Sequence, residues 1–143
     1  MGSQETRALS DSLLEEAART GDLERAVRAR VTPDAVLHLP NGESGDMEFL
    51  AAFLHESAVA FPDVTLTLDH SIIDGDRAVF QFTLEGSHLG VYRGFEPTGE
   101  RFSTPVCWSL RFQADRIVEL WYYASVYDFL VPGHQRRSTA GGR

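Results

Sequence analysis

The spacing of apolar residues changes once along this 143-residue chain, and that change constrains the fold more than any other feature. Before residue 62 the apolar residues recur every three or four positions, as in Leu9, Leu13 and Ala17, which predicts helices. From Val64 onward apolar and polar residues alternate, which predicts half-buried strands. Helices followed by consecutive strands indicate an α+β domain, with the helices packed on one face of an antiparallel sheet.

Turn signals divide the helical part. Gly21-Asp22 separates two N-terminal helices, and Asp46 is placed to cap a third helix that ends near Pro62-Asp63. Thr32-Pro33-Asp34 predicts a turn before a short strand over Ala35–Leu39. We expect one domain over residues 1–134 and a disordered, polar and glycine-rich tail over residues 135–143.

The last strand has two largely apolar faces. Parity assigns Val118, Leu120 and Tyr122 to the inner face, and Ile117, Glu119, Trp121 and Tyr123 to the outer face. Because one face of such a sheet should meet water, the outer aromatics need a second cover. Either the C-terminal segment covers them, or Trp121 and Tyr123 form the centre of a homodimer interface.

Composition excludes several functions. All 13 basic residues are arginines, so no lysine is present to form a Schiff base. A net charge of −8 argues against a nucleic-acid partner, and no apolar run is long enough to span a membrane. A single cysteine, Cys107, and the lack of a signal-peptide pattern favour a cytoplasmic location. No histidine or cysteine spacing suits a metal, so we expect neither metal nor cofactor.

Four stretches together resemble one family. They are Phe61-Pro62-Asp63, the run Gly86–Gly90, the run Gly94–Gly99, and Asp115–Trp121. In this order and spacing they resemble the SnoaL-like polyketide cyclases of the nuclear-transport-factor-2-like superfamily. The resemblance implies a cone-shaped fold, in which a curved antiparallel sheet wraps around three helices and encloses one deep apolar pocket. It also implies homodimers that pack through the outer face of the sheet.

The resemblance breaks down at the chemistry. The founding cyclases use a carboxylate on the last strand as acid and base, with a histidine on the preceding strand. Those positions fall on Tyr122 and Trp108 of this sequence. A phenol has a pKa near 10, so it donates a proton at neutral pH and is a poor base. The aldol mechanism of the family therefore does not transfer.

The candidate site residues combine parity with the resemblance. Tyr122 and His38 are the candidate catalytic groups. His38 ends the first strand, where it either projects into the cavity mouth or is a surface or capping histidine. Seven residues are candidates for substrate binding: Trp108, Phe53, Phe61, Leu120, Val106, Leu110 and His88. For Leu120, Val106 and Leu110 plain core packing is the favoured interpretation, and for His88 the favoured role is to order its loop.

Three functions fit these residues. The first is a cofactor-free cyclase or isomerase that folds a hydrophobic polyketide-type intermediate in an aromatic pocket, with proton donation by a tyrosine or histidine. The step could be pericyclic or ring-rearranging. The second is a non-catalytic small-molecule-binding protein, and the third is an accessory protein of an oxygenation step.

Overall fold

A computed structural model describes residues 2–124 of the chain. The three helices in this part are α1 (Ser3–Thr20), α2 (Leu23–Arg28) and α3 (Met47–Ala60), and the first two strands lie between α2 and α3. The six strands are β1 (Val31–His38), β2 (Ser44–Gly45), β3 (Thr65–Asp74), β4 (Arg77–Ser87), β5 (Arg101–Gln113) and β6 (Arg116–Ala124). The predicted tail over residues 135–143 lies outside the described residues.

The strands form one curved sheet that does not close, in the order β2-β1-β6-β5-β4-β3. From β3 to β6 the chain runs as the predicted antiparallel meander. The pairing of β1 with β6 is parallel, which the sequence did not predict. The helices pack on the concave face, where α1 contacts β3 and β4 and α3 contacts β1. The predicted α+β cone is therefore confirmed.

Short polar contacts begin and anchor the helices. The Asp22 side chain accepts from the Arg25 amide at the start of α2, and Asp46 accepts from the Phe49 amide at the start of α3, each at 3.0 Å. These bonds satisfy amides that have no partner inside the helix. At the start of α1, Thr6 donates to the Gly75 carbonyl at 2.6 Å, which ties that helix to the β3–β4 turn.

Below the helices the core is built from large apolar side chains that the sheet and helices bury completely. Its fully buried members include Leu13, Val27, Leu37, Leu50, Phe80, Leu110, Phe112, Ile117 and Leu120. Burying one such side chain contributes about 1.5–3 kcal/mol, so this layer supplies most of the energy that holds the helices on the sheet.

Two local predictions are wrong. Thr32-Pro33-Asp34 is not a turn but part of β1, at an irregularity where the pairing with β6 shifts between Val31 and Val36. Proline is tolerated in a strand where ladder bonds are interrupted. Ile117, assigned to the outer face, is fully buried, because a bulge between the β5–β6 pairs changes the parity at Val118.

Candidate functional site

A cavity of about 900 Å³ opens between the helices and the concave face of the sheet. Its walls come from α1, α2, α3 and from β3 to β6, and most of its surface is apolar. The apolar wall includes Leu14, Leu23, Leu54, Phe61, Val64, Leu66, Leu68, Phe82, Leu84 and Val106. An apolar cavity of this size with few polar groups is the usual form of a small-molecule site.

Three aromatic side chains form one wall deep in the cavity. Trp108 and Tyr122 lie directly opposite each other on β5 and β6, with ring centroids 5.6 Å apart and the rings edge to face. Phe53 of α3 meets the Tyr122 ring edge to face at 5.4 Å. Aromatic pairs favour this edge-to-face geometry, so helix and sheet together fix the orientation of the phenol.

The polar atoms of Trp108 and Tyr122 have no partner within residues 2–124. Neither the Tyr122 hydroxyl nor the Trp108 indole N–H forms a hydrogen bond to that part of the chain. Burial raises the pKa of Tyr122 well above its ordinary range, and the nearby Tyr92 raises that pKa further. Tyr122 is therefore a neutral donor at all physiological pH values, available to a ligand in the cavity.

Tyr92 is a second buried phenol in the lining, which the sequence analysis missed. Burial raises the pKa of Tyr92, while a hydrogen bond with Ser57 of α3 acts in the opposite direction. The residue lies in the glycine-rich connection between β4 and β5, where strand parity has no meaning. The signal that could have found it is the Tyr92–Phe95 run, whose central Arg93 and Gly94 form a tight turn with positive φ at both residues.

The connection that carries Tyr92 is fixed to α3 by backbone contacts. The amides of Leu89 and Gly90 both donate to the Ala60 carbonyl, at 2.9 and 3.1 Å. A Cβ on Gly90 would lie 2.5 Å from the Val59 carbonyl oxygen, so only glycine permits this approach. The Arg93 amide donates to Glu56 of α3 at 3.0 Å.

His88 lies inside this connection and does not line the cavity. It is fully buried, and its Nδ1 lies 3.3 Å from the Thr98 hydroxyl. Its amide donates to the Glu100 carbonyl at 3.0 Å. These contacts join the two ends of the loop. They favour the alternative interpretation, in which His88 orders the loop and does not bind substrate.

The mouth of the cavity is the solvent-accessible part of its lining, which includes the apolar side chains Val64, Leu66 and Leu68 as well as four polar residues: Glu15, Asp22, Glu24 and His55. All four are exposed or half-buried, in contrast to the aromatic wall. His55 of α3 is exposed and also lines the cavity. It is the single histidine in the described lining.

The structure sorts the remaining sequence candidates. Tyr122, Trp108, Phe53, Phe61 and Val106 all line the cavity, as predicted. Leu110 and Leu120 face inward but lie completely buried in the core, outside the lining. They pair directly across β5 and β6, two residues along each strand from the aromatic pair.

His38 is on the wrong face of the sheet for its predicted role. Its neighbour Leu37 points into the core, so His38 points outward and is absent from the cavity lining. There its Nε2 lies 2.7 Å from a Glu119 carboxylate oxygen, and its ring stacks on Trp121 at 5.1 Å. The prediction that His38 projects into the cavity mouth is therefore wrong, and its alternative, a histidine at the surface end of the strand, agrees with the structure.

The outer face carries a connected cluster around that pair. The hydrogen bond from His38 and the one from Arg111 lower the pKa of Glu119. The Arg77 guanidinium lies over the Trp121 ring, 5.2 Å from its centroid. The Trp121 ring thus contacts both His38 and Arg77, whereas Tyr123 beside it is 51% exposed.

Within residues 2–124, no group of three or more histidine, cysteine or acidic side chains is arranged to hold a metal ion. None of the described helices has the length and hydropathy needed to cross a membrane.

Comparison with known proteins identifies relatives of this architecture. The profile of the SnoaL-like polyketide cyclase family matches residues 8–131. No curated protein matches the sequence.

Solved structures give the same result. IdmH of Streptomyces antibioticus, a candidate polyketide cyclase, is 29% identical with a TM-score of 0.71, over 87% of this chain and 95% of its own. AclR of Streptomyces galilaeus, a candidate hydroxylase, is 25% identical with a TM-score of 0.74, over 88% of this chain and 92% of its own. A SnoaL-like protein of Jannaschia sp. CCS1 shares the fold with a TM-score of 0.79 at 18% identity, over 91% of this chain and 94% of its own.

Proposed function

Because the chain belongs to the SnoaL-like polyketide cyclase family, we propose that it is a cofactor-free cyclase or isomerase acting on an apolar, polyketide-type intermediate. The observation that carries the proposal is the aromatic wall of the cavity. It presents one neutral phenol, Tyr122, whose hydroxyl has no partner in the described part of the chain.

The cavity can contribute to a ring closure by shape. A flexible chain held in a folded conformation between Phe53, Trp108 and Phe61 has already lost the freedom that opposes cyclisation. Such positioning can remove several kcal/mol from a barrier, since intramolecular reactions gain up to about 7–11 kcal/mol from orientation.

Tyr122 supplies the polar part of the mechanism. Its phenol donates a hydrogen bond to a substrate carbonyl or hydroxyl oxygen and stabilises negative charge that develops there. Because burial keeps the phenol neutral, it acts as the donor and not as the base. The carboxylate-based aldol mechanism of the founding cyclases is not part of this proposal.

The experiment starts from the ligand that the purified protein retains, identified by mass spectrometry, or from the intermediate whose turnover it accelerates. Tyr122→Phe keeps the ring and deletes the donor. We expect the rate to fall about ten- to a thousandfold, the range for one such donor. Tyr123→Phe, on the opposite face of the same strand, is the control and should retain full activity.

The remaining outcomes discriminate between mechanisms. Trp108→Ala should weaken substrate binding because it removes apolar contact area. If Trp108→Ala impairs turnover while Tyr122→Phe is silent, catalysis is by shape alone. If neither change has an effect, the cavity is not the site. Activity should also survive exhaustive chelation; loss of turnover that a divalent metal restores would reject a cofactor-free reaction.

The second candidate function is a role in an oxygenation step. The description of AclR as a candidate hydroxylase supports it. Incubation under ¹⁸O₂ separates the two. A ring-closing or isomerising reaction leaves the product unlabelled and proceeds without oxygen, whereas an oxygenation incorporates the label.

We also propose that the protein is a homodimer through the outer face of the sheet. Tyr123 is a large aromatic side chain that the described residues leave half-exposed, beside the cluster of His38, Glu119 and Trp121. Exposed aromatic groups on a sheet face are typical of contact surfaces. The alternative cover, the C-terminal segment, involves residues that the structure does not describe.

A further inference from the structure

Apart from the histidine His55, the charged side chains among the described lining residues are all acidic. Glu15, Asp22 and Glu24 line the mouth, and no arginine is found among the described lining residues. Among the ion pairs in the described part of the chain, that of Arg28 with Glu24 involves a lining carboxylate, and the other arginines pair with acidic groups outside the lining, as Arg30 does with Glu16 at 2.9 Å.

The carboxylates at the mouth are incompletely neutralised. Glu24 has a partner, Arg28, but that guanidinium also binds Glu48 at 2.6 Å, outside the lining. Glu15 and Asp22 form no ion pair with the part of the chain that the structure describes. Within residues 2–124, the Asp22 carboxylate accepts a hydrogen bond from the Arg25 backbone amide alone. The mouth therefore presents negative potential to whatever enters.

The interior gives an independent reason to expect a ligand here. Trp108 is 3% exposed, lines the cavity, and its N–H has no partner within residues 2–124. A buried N–H of this kind is normally hydrogen-bonded. The cavity thus has an apolar inner end with an unpaired N–H donor and an outer end where carboxylates lie beside apolar side chains.

From this arrangement we infer that the cavity selects an apolar ligand that carries a basic amine at the end nearer the mouth, and that it disfavours ligands with a carboxylate or phosphate there. A cationic group between Glu15 and Asp22 gains Coulomb energy, while an anion is repelled by the same charges. The inference rests on the proposed function, because it assigns a substrate class to the same cavity.

Three probes that differ only in charge test this inference: 9-(aminomethyl)anthracene, 9-anthracenemethanol and 9-anthracenecarboxylate. Their binding to the full-length protein is followed by fluorescence. We expect the amine to bind about tenfold or more tightly than the carboxylate at low salt. The difference should shrink in about 0.5 M salt, where the screening length falls below about 5 Å.

Paired substitutions locate the effect. Glu15→Gln combined with Asp22→Asn should remove most of the preference, and asparagine can still cap α2. Asp11→Asn combined with Glu85→Gln changes the net charge equally at exposed positions outside the lining, and should leave the preference intact. Thermal unfolding of both variants checks that each is folded.

The outcomes separate this inference from the proposed function. If the neutral alcohol binds but the amine and the carboxylate bind with equal affinity, the inferred charge selection is wrong, while the cavity remains a ligand site. An equal loss of preference in the control pair also overturns it. If none of the three probes binds, the cavity is not a ligand site, and both proposals fail together.

Discussion

Adjacent tyrosines on opposite faces of β6 differ sharply in environment. Tyr122 faces the cavity between Phe53 and Trp108, and Tyr123 faces outward and is half-exposed. Burial raises the pKa of Tyr122 in the folded state, so the folded protein holds that proton more tightly than the unfolded chain. This difference links the residue to the stability of the whole protein at alkaline pH.

We expect the free energy of unfolding to decrease as the pH rises above about 10, where the unfolded tyrosine ionises and the folded one does not. The Tyr122 contribution is fully present below that pH. One such group changes stability by at most about 1.4 kcal/mol per pH unit. Denaturant unfolding between pH 7 and 11 should therefore show a smaller alkaline slope for Tyr122→Phe than for the wild type.

Tyr123→Phe is the matched control, and Tyr92→Phe should behave in the same direction as Tyr122→Phe because burial also raises the pKa of Tyr92. An unchanged slope in Tyr122→Phe would mean that water reaches the phenol freely.

At this scale the sequence predicted the site residues that regular strands carry. Trp108, Tyr122 and Val106 follow from strict alternation on β5 and β6. The positions of Tyr92 and His38 could not be predicted from strand alternation. Tyr92 lies in a loop, and the face of His38 depends on an irregular strand whose partner is far away in sequence.

Among the elements, the β4–β5 connection depends on one glycine. Gly90 allows the loop to approach the end of α3 closely, so that its backbone contacts Val59 and its amide donates to the Ala60 carbonyl. Gly90→Ala would force these segments apart, and overpacking of this kind costs about 1–3 kcal/mol. We expect a lower thermal midpoint and, because Tyr92 is carried by the same loop, weaker binding of an apolar probe.

Leu89→Ala changes the neighbouring residue, whose side chain is 53% exposed, and should leave both quantities nearly unchanged. A Gly90→Ala variant with wild-type stability and binding would show that the loop is free to move away from α3.

The helices and the meander could be predicted because each depends on local periodicity and on nearby caps. The bulge at Val118 could not be predicted. A single extra residue in a strand is recognised only when the pairing with the partner strand is known. The parallel pairing of β1 with β6 is also a long-range choice that no local pattern encodes.

For the whole molecule, the dimer proposal predicts a mass of about twice 15.9 kDa in light scattering. Tyr123→Glu places a charge at the proposed centre of the interface and should yield monomers, since a buried unpaired charge is strongly unfavourable. Val59→Glu introduces the same charge at an exposed position on α3 and should leave the dimer intact. A monomeric wild type would contradict the proposal.

The parallel pairing of the first and last strands also governs when the protein can acquire its structure during synthesis. Leu37 pairs with Leu120, so the ribosome must make more than 80 further residues before β1 finds its neighbour. Contacts this distant in sequence slow folding, because a long loop must close before they form. The last strand also brings Tyr122, so a nascent chain has neither a finished sheet nor a finished cavity until β6 leaves the exit tunnel.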